Sequence, residues 1–284
     1  MLEQITPLIL TFNEAPNIGR SLDRFQWARD VVVLDSFSTD ETLEIVARFP
    51  NVRLFQRTFD NFAAQWQFGL TETGISTEWV LALDADFMIT TDLVNELASL
   101  RPSGNTEGYT AGLSNCVQGR RLRSSLLPRL TILYRRGAAS CRADGHTYQV
   151  QLDGKLEMLR SPVLHDDRKP LSRWVEAQQK YTVLEGNKLL AADWQALNFP
   201  DRVRRLRLVA PAAVWFYCLI LKGGIFDGWA GWYYALQRSF VEVLLSLYLI
   251  ENDLNLIEKP AAPESANERM APAPARDRQP DAVL

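Results

Sequence analysis

Asp84 and Asp86 stand two residues apart, directly behind the apolar run Trp79-Val80-Leu81-Ala82-Leu83. A run of that length without alternation suits a strand buried on both faces. In parallel α/β sheets, ligands gather at the carboxyl ends of the strands. Residues i and i+2 of a strand point the same way, so both acids can turn toward one hard cation. Mg²⁺ or Mn²⁺ takes oxygen ligands and is held by one or two carboxylates together with substrate phosphates. Taken alone, the pair also fits two solvated acids in a loop. The neighbouring elements decide.

Those elements alternate. Leu8-Ile9-Leu10 reads as a buried strand, and residues 16–26 read as a helix with Pro16 in its first turn and Ile18, Leu22 and Phe25 on one face. Val31-Val32-Val33-Leu34 is the clearest buried strand and ends at Asp35. Ser38-Thr39-Asp40-Glu41 matches a capping box, with Ser38 as N-cap of a helix that turns Leu43, Val46 and Ala47 inward. Val52-Arg53-Leu54-Phe55 alternates like an edge strand, and a further helix is expected from Phe62 to Leu70. Strands alternating with helices predict an α/β fold with a mostly parallel sheet flanked by helices. Thr11, Asn13 and Glu14 then follow the first strand, Asp35, Ser36 and Ser38 the second, and Asp84 and Asp86 a later one. Three strand ends deliver acids or hydrogen-bonding groups to one edge of one sheet. For Ser38 the cap role suffices. For Asp35, Asp84 and Asp86 the shared edge favours a ligand site.

Composition bounds the partners. The chain has 284 residues, 47% of them hydrophobic, enough for one large core or two small ones. A formal net charge of −3 argues against general nucleic-acid binding, which calls for a basic face. Cys116, Cys141 and Cys218 are too scattered for a disulfide framework, and none has a partner at metal-ligand spacing. Buried thiols in a reducing compartment are expected. The N-terminus, Met1 to Thr6, has no basic region and no long apolar region, so no signal peptide is expected.

The segments Leu8 to Glu14 (LILTFNE), Val31 to Asp40 (VVVLDSFSTD) and Trp79 to Asp86 (WVLALDAD) resemble the signature segments of family 2 glycosyltransferases with the Rossmann-like GT-A fold. The branch most similar builds bacterial lipopolysaccharide core and other cell-envelope glycans. Asp144-Gly145-His146 and His165 to Trp174 (HDDRKPLSRW) are similar to a bacterial subgroup. The resemblance implies a nucleotide-sugar donor, a UDP-sugar foremost, and Mg²⁺ or Mn²⁺ as cofactor. By the same resemblance, Asp35 contacts the base, Thr11, Asn13 and Glu14 line the nucleoside pocket, Asp84 faces the ribose or the metal, and Asp86 ligates the metal at the diphosphate. His165 matches in order a downstream histidine that supplies a further metal ligand. A lone histidine is also often a hydrogen-bonded structural residue. No lysine- and glycine-rich phosphate loop is present, so a cation must carry the charge that develops on the leaving diphosphate.

An inverting transfer needs a general base for the acceptor hydroxyl. Asp144 is the candidate. Asp144-Gly145 is equally a good turn dipeptide, and the two roles are compatible. Many family members carry a His-Glu pair near this point, whereas this chain has His146-Thr147, which leaves His146 or Asp166 as alternatives. Arg168, Arg173 and Trp174 are candidates to meet the donor diphosphate or the acceptor sugar, Trp174 also suiting packing at a helix start.

The last third changes character. Arg202, Arg204, Arg205 and Arg207 precede an apolar run from Leu208 to Leu221 interrupted by Pro211. This run is shorter than the roughly 20 residues of a spanning helix. Lys222-Gly223-Gly224 breaks it, and Trp229, Trp232, Tyr233, Tyr234 and an apolar stretch from Phe240 to Ile250 with Glu242 follow. Basic residues beside aromatic-rich apolar helices suit an anionic membrane surface, or a helical subdomain packed on the core. The expected organisation is a catalytic domain over 1–165, with a nucleotide-sugar half at 1–100 and an acceptor half at 101–165. A helical, membrane-contacting region over 166–259 and a disordered Pro- and Ala-rich tail over 260–284 would complete it. The expected activity is transfer to a glycan or glycolipid acceptor at the inner face of the cytoplasmic membrane. Two rivals remain: a haloacid-dehalogenase-like phosphatase or phosphotransferase, whose Asp-x-Asp lies on the first strand and continues to Thr or Val where this chain has Met88, and a non-catalytic membrane-associated scaffold of the same fold.

Overall fold

The computed structural model describes residues 1–144 and 147–256. The tail assigned to 260–284 lies outside the described residues. The strands are β1 (Ile5–Thr11), β2 (Val31–Asp35), β3 (Val52–Gln56), β4 (Trp79–Asp84), β5 (Phe87–Met88), β6 (Thr106–Ala111), β7 (Leu113–Val117), β8 (Arg120–Arg121), β9 (Leu130–Arg135), β10 (Ser140–Asp144), β11 (Thr147–Gln151), β12 (Lys155–Met158) and β13 (Val163–His165). The α-helices are α1 (Ile18–Leu22), α2 (Thr42–Val46), α3 (Phe62–Thr71), α4 (Thr91–Ser99), α5 (Leu171–Ala191), α6 (Phe199–Arg205), α7 (Val209–Phe216) and α8 (Trp229–Asp253).

Seven strands form the central sheet in the order β12-β6-β9-β4-β1-β2-β3. β4, β1, β2 and β3 are mutually parallel, as are β12 and β6, while β9 runs against both of its neighbours. The unbroken apolar runs have the expected cause. Val31 and Val33 pack into one core layer and Val32 and Leu34 into the other, and Leu81 and Val80 divide the same way. A parallel sheet covered on both faces needs apolar residues at every position. Helix α3 lies so close to β1 that a Cβ at Gly69 would stand 2.7 Å from Leu8 Cδ2.

A second sheet runs in the order β5-β13-β7-β8. Its first strand is two residues long and begins immediately after Asp86. Antiparallel pairing sets His165 opposite Phe87, and the Asp166 N–H donates to the Asp86 carbonyl at 3.1 Å. This short pairing brings two segments 80 residues apart in the chain to one point.

The capping box is not formed. Helix α2 starts at Thr42, with the Asp40 side chain accepting from Thr42 N at 3.1 Å. The Ser38 hydroxyl instead donates to Asp35 and accepts from Asn13 N at 2.8 Å. A buried carboxylate without donors costs more than a helix that starts three residues later. The predicted helix over 16–26 is also shorter, ending as a 3₁₀ turn at Asp23–Phe25.

After His165 every described element is helical. The four arginines of 202–207 organise these helices rather than projecting as a cluster. Arg204 pairs with Glu242 at 2.9 Å and with Asp201 at 3.1 Å, and Arg207 pairs with Asp253 at 2.6 Å. Arg205 donates to the Ala192 carbonyl and lies over the Trp194 ring, and Arg202 donates to the Gln195 carbonyl. Glu242 therefore sits in an apolar helix because it holds α6 to α8.

Candidate active site

Asp84 closes β4, and Asp86 sits in the turn between β4 and β5. His165, the last residue of β13, points its Nε2 at Asp86 Oδ2 across 3.3 Å. Its Nδ1 donates to Asn115 Oδ1 at 2.9 Å, and Asn115 Nδ2 donates to the Tyr234 hydroxyl at 2.9 Å. The asparagine fixes the ring and leaves Nε2 for the site, the arrangement by which outer partners orient a metal-binding histidine. Phe87 holds the imidazole edge-on at 5.6 Å.

Lys169 completes the cluster and was not among the sequence candidates. Its Nζ lies 2.5 Å from Glu14 Oε1 and 3.8 Å from Asp167 Oδ2. Glu14 Oε2 accepts from Asn17 Nδ2 at 2.8 Å, and Asn17 also binds Asp167 and the Arg168 N–H, tying the start of α1 to the 166–169 loop. The signal for Lys169 was present in the cation-rich run after His165. The neighbouring Arg168, a candidate from the sequence, has its guanidinium held by Asp166 at 3.1 and 3.2 Å. Asp166 is itself buried, pairs with Arg20 and accepts from Gly119 N at 2.9 Å. So committed, Asp166 is a structural anchor and not a free base. The side chains of residues 143–148 lie outside the described residues, so Asp144 is placed only as the end of β10, and His146 is not placed.

The other strand-end residues divide. Thr11 Oγ1 is buried without a hydrogen-bond partner beside the site edge. Asn13 adopts φ +53 and accepts from Thr39 N at 2.7 Å, so it shapes the loop after β2. Asp35 is fully buried and accepts from Ser38 and from Gln56 Nε2 at 3.1 Å. Three of its roughly four acceptor positions are thereby filled, and this buried carboxylate orders the loop that faces the site.

The charges have been driven apart. Burial and then the Asp86 charge lift Asp84 to about 7, against the weaker pull of His165 and Lys169. Burial acts on Asp86 in the same sense, but His165 and Lys169 outweigh it and hold that carboxyl at about 2. His165, which burial alone would lower, is carried up to about 9 by Asp86, Asp167 and Asp84. Glu14 rises to about 7 through burial and Asp86, despite Lys169 and Asn17. Burial disfavours the Lys169 ammonium, yet Glu14, Asp86 and Asp167 raise it above the usual lysine range.

Chelator-treated protein is therefore expected to melt at progressively lower temperature from pH 5 to pH 9. Asp84 has a folded pKa of about 7 against an ordinary 3.8, so its stabilising contribution is complete below 3.8 and lost as pH rises through 7. His165, raised from 6.5 to about 9, contributes fully below 6.5 and loses that contribution through 9. Asp86 acts oppositely, but only below 3.8. Asp84→Asn removes the first of these losses and should melt above wild type at pH 8. Differential scanning calorimetry that shows melting constant or rising over this window would contradict the assignment.

A divalent cation fits the donor set. Asp86 Oδ1 is buried with no hydrogen-bond partner, and His165 Nε2 is aimed at the same carboxylate. Among the described residues, no group of three His, Cys, Asp or Glu side chains is close enough to hold a metal unaided. Two protein ligands completed by ligand phosphates is the ordinary arrangement for Mg²⁺.

Residues 8–137 match the model of glycosyl transferase family 2. An uncharacterized glycosyltransferase of Rickettsia bellii (strain RML369-C) is 30% identical over 112 residues, covering 39% of this chain and 37% of that protein. One of Rickettsia felis (strain ATCC VR-1525 / URRWXCal2) is 30% identical over 111 residues, covering 39% and 38%. The matched stretch spans less than two fifths of these relatives' length. Among solved structures, S. aureus TarS 1-349 in complex with UDP-GlcNAc aligns at 14% identity and TM-score 0.45, over 88% of this chain and 92% of that one. Glucosyl-3-phosphoglycerate synthase from Mycobacterium tuberculosis, in complex with Mn²⁺, UDP and phosphoglyceric acid, aligns at 15% and TM-score 0.43, over 63% and 76%. Likenesses this distant say nothing of the site. The family match runs from β1 through β9 and takes in the strand ends at Thr11, Asp35 and Asp84, but not His165 or Lys169; over these residues the chain is similar to glycosyl transferase family 2.

Proposed function

We propose that this protein is a metal-dependent, inverting glycosyltransferase that moves a sugar from a nucleotide-sugar donor, a UDP-sugar, to a glycan or glycolipid acceptor of the cell envelope. The observation that carries this reading is the meeting of Asp86, with its unfilled buried oxygen, His165 and Lys169 at one strand end. Asp86 and His165 would hold the cation, with Asp84 beside them. A bound Mg²⁺ or Mn²⁺ would neutralise the charge that grows on the diphosphate as the glycosidic bond breaks. Lys169 adds a fixed ammonium, and Glu14 and Asp167 hold it in place. Thr11 offers its unfilled hydroxyl to the nucleoside, and the loop ordered by Asp35 and Asn13 forms the wall against it. A panel of nucleotide sugars with Mn²⁺, read by nucleoside diphosphate release, tests the reading. Release of inorganic phosphate from sugar phosphates, with no nucleoside diphosphate from any donor, would favour the phosphatase rival.

Asp144 is the proposed base. Asp144→Asn keeps the shape and loses the proton acceptor, so turnover should fall by roughly a hundredfold with donor affinity little changed. Steady-state kinetics that show donor affinity collapsing while turnover at saturation survives would move Asp144 to the binding site.

The site is further proposed to work at the inner face of the cytoplasmic membrane. No described helix is long and apolar enough to cross a membrane. The face formed by α7, its π-helical continuation Tyr217–Leu221 and the start of α8 nevertheless exposes Leu208 (78%), Leu221 (65%), Phe226 (70%) and Trp229 (87%). Single exposed apolar residues are ordinary, but a contiguous apolar patch marks an interaction surface. Lys222 lies in this face and exposed Arg120 beside Gly228. These cations, not the paired arginines of 202–207, are the candidates for anionic headgroups, each contributing about 1 kcal/mol. Flotation should show binding to anionic vesicles above neutral ones. Phe226→Ala/Trp229→Ala should lower both, and Lys222→Gln/Arg120→Gln should lower only the anionic preference. Equal flotation with and without vesicles for the native protein would show this face to be without a lipid partner.

A further inference from the structure

Beside His165 and Lys169 opens a cavity of about 500 Å³ that runs between the second sheet and helices α5 and α8. This volume is within the range of small-molecule sites. Its far wall carries two aromatic rings, Trp174 and Tyr233, two amides, Gln178 and Gln237, and one guanidinium, Arg238. Aromatic faces with amides between them suit a sugar, which has apolar C–H faces and hydroxyl edges.

Arg238 is the informative residue. Its Nε is buried and has no hydrogen-bond partner. Its neighbour one turn on, at i+4, is Glu242, the position at which a helix ordinarily pairs opposite charges. Glu242 is already held by Arg204, whose Nε and Nη2 reach both of its oxygens at 2.9 to 3.2 Å. No carboxylate among the described residues takes its place beside Arg238. The other charged group on this wall, Asp167, is met by Asn17 Nδ2 at 3.0 Å and by Lys169 N at 2.9 Å. The cavity thus presents one unanswered cation, and a planar fork of donors suits a carboxylate or phosphate.

We infer that this cavity is the acceptor subsite and that it takes an acidic sugar, one bearing a carboxylate or phosphate that Arg238 receives while Trp174 and Tyr233 hold the ring. The inference rests on the glycosyltransferase reading. It adds to it the chemical class of the acceptor. The position fits transfer, because the near end of the cavity reaches the groups proposed to hold the donor diphosphate. It also fits a lipid-carried acceptor, because Tyr233 lies one turn along α8 from exposed Trp229.

Saturation-transfer NMR with glucose 6-phosphate, methyl glucuronide and neutral methyl glucoside, with inorganic phosphate read by its displacement of glucose 6-phosphate, tests this on the intact protein. The wild type should bind at least one acidic sugar about tenfold more tightly than the neutral one, the effect of a single charge-assisted hydrogen bond. The phosphate and carboxylate arms say which acid is meant. Arg238→Gln should abolish the preference, and Arg238→Lys should keep part of it. Equal binding of acidic and neutral sugars, a preference that survives Arg238→Gln, or inorganic phosphate binding as well as glucose 6-phosphate would overturn the acidic-sugar subsite. Donor hydrolysis by wild type without acceptor is measured in parallel. Its absence from every nucleotide sugar would sink the donor reading, whereas its presence beside a lost charge preference would sink this inference alone.

Discussion

Asp86→Asn is expected to lose on the order of a thousandfold in turnover, the largest effect of any single substitution in the site. The change is nearly isosteric and falls in a turn rather than in a core layer, so folding should survive. What disappears is the charge that balances His165 and one of the two oxygens of a carboxylate whose buried Oδ1 has no protein partner. With it goes the joint ligand set, because His165 alone does not hold a hard cation. Donor affinity should fall to its metal-free value at the same time, and excess chelator should no longer inhibit the variant further. Native-like turnover of Asp86→Asn under saturating Mn²⁺ would remove Asp86 from the metal site.

Lys169→Met should cost on the order of several hundredfold in turnover, with a smaller effect on donor affinity. Methionine keeps the unbranched stem and removes only the ammonium. In the structure that ammonium faces Glu14 and Asp167 and acts at a distance on Asp86. Charge on the diphosphate is greater as the bond breaks than in the bound donor, so a fixed cation there favours the transition state over the ground state. Steady-state kinetics separate the two effects. If Lys169→Met raises KM alone, the lysine only binds. If neither parameter moves, it is an ion pair that braces Glu14.

Much of this site was legible because it is local. Val31 through Asp35 and Trp79 through Asp84 each carry strand, burial and terminal acid in one continuous stretch, and the strand-end rule places them on one edge. His165 was legible only in order, since its meeting with Asp86 depends on the two-residue strand β5, too short to show a period. Lys169 and Asn17 were missed because their partners lie 155 and 150 residues away in the chain. The arginines of 202–207 misled for the same reason. A run of like charges reads as a surface patch until the acids that neutralise it, among them Glu242 and Asp253, fold back onto it. Ser38 shows a local rule giving way to a buried carboxylate.

The most direct test is the thermal shift produced by nucleoside diphosphates with and without Mn²⁺, measured on wild type and Asp86→Asn side by side. Ligands that bind only the folded protein raise its melting temperature in proportion to affinity and concentration. UDP, with CDP, GDP and ADP as comparisons, should stabilise wild type far more with Mn²⁺ than without. That metal-dependent increment should vanish in Asp86→Asn. Stabilisation by a nucleoside diphosphate that is the same with Mn²⁺ and with chelator, or a metal increment that persists in Asp86→Asn, would contradict a donor diphosphate held through a cation at this strand end.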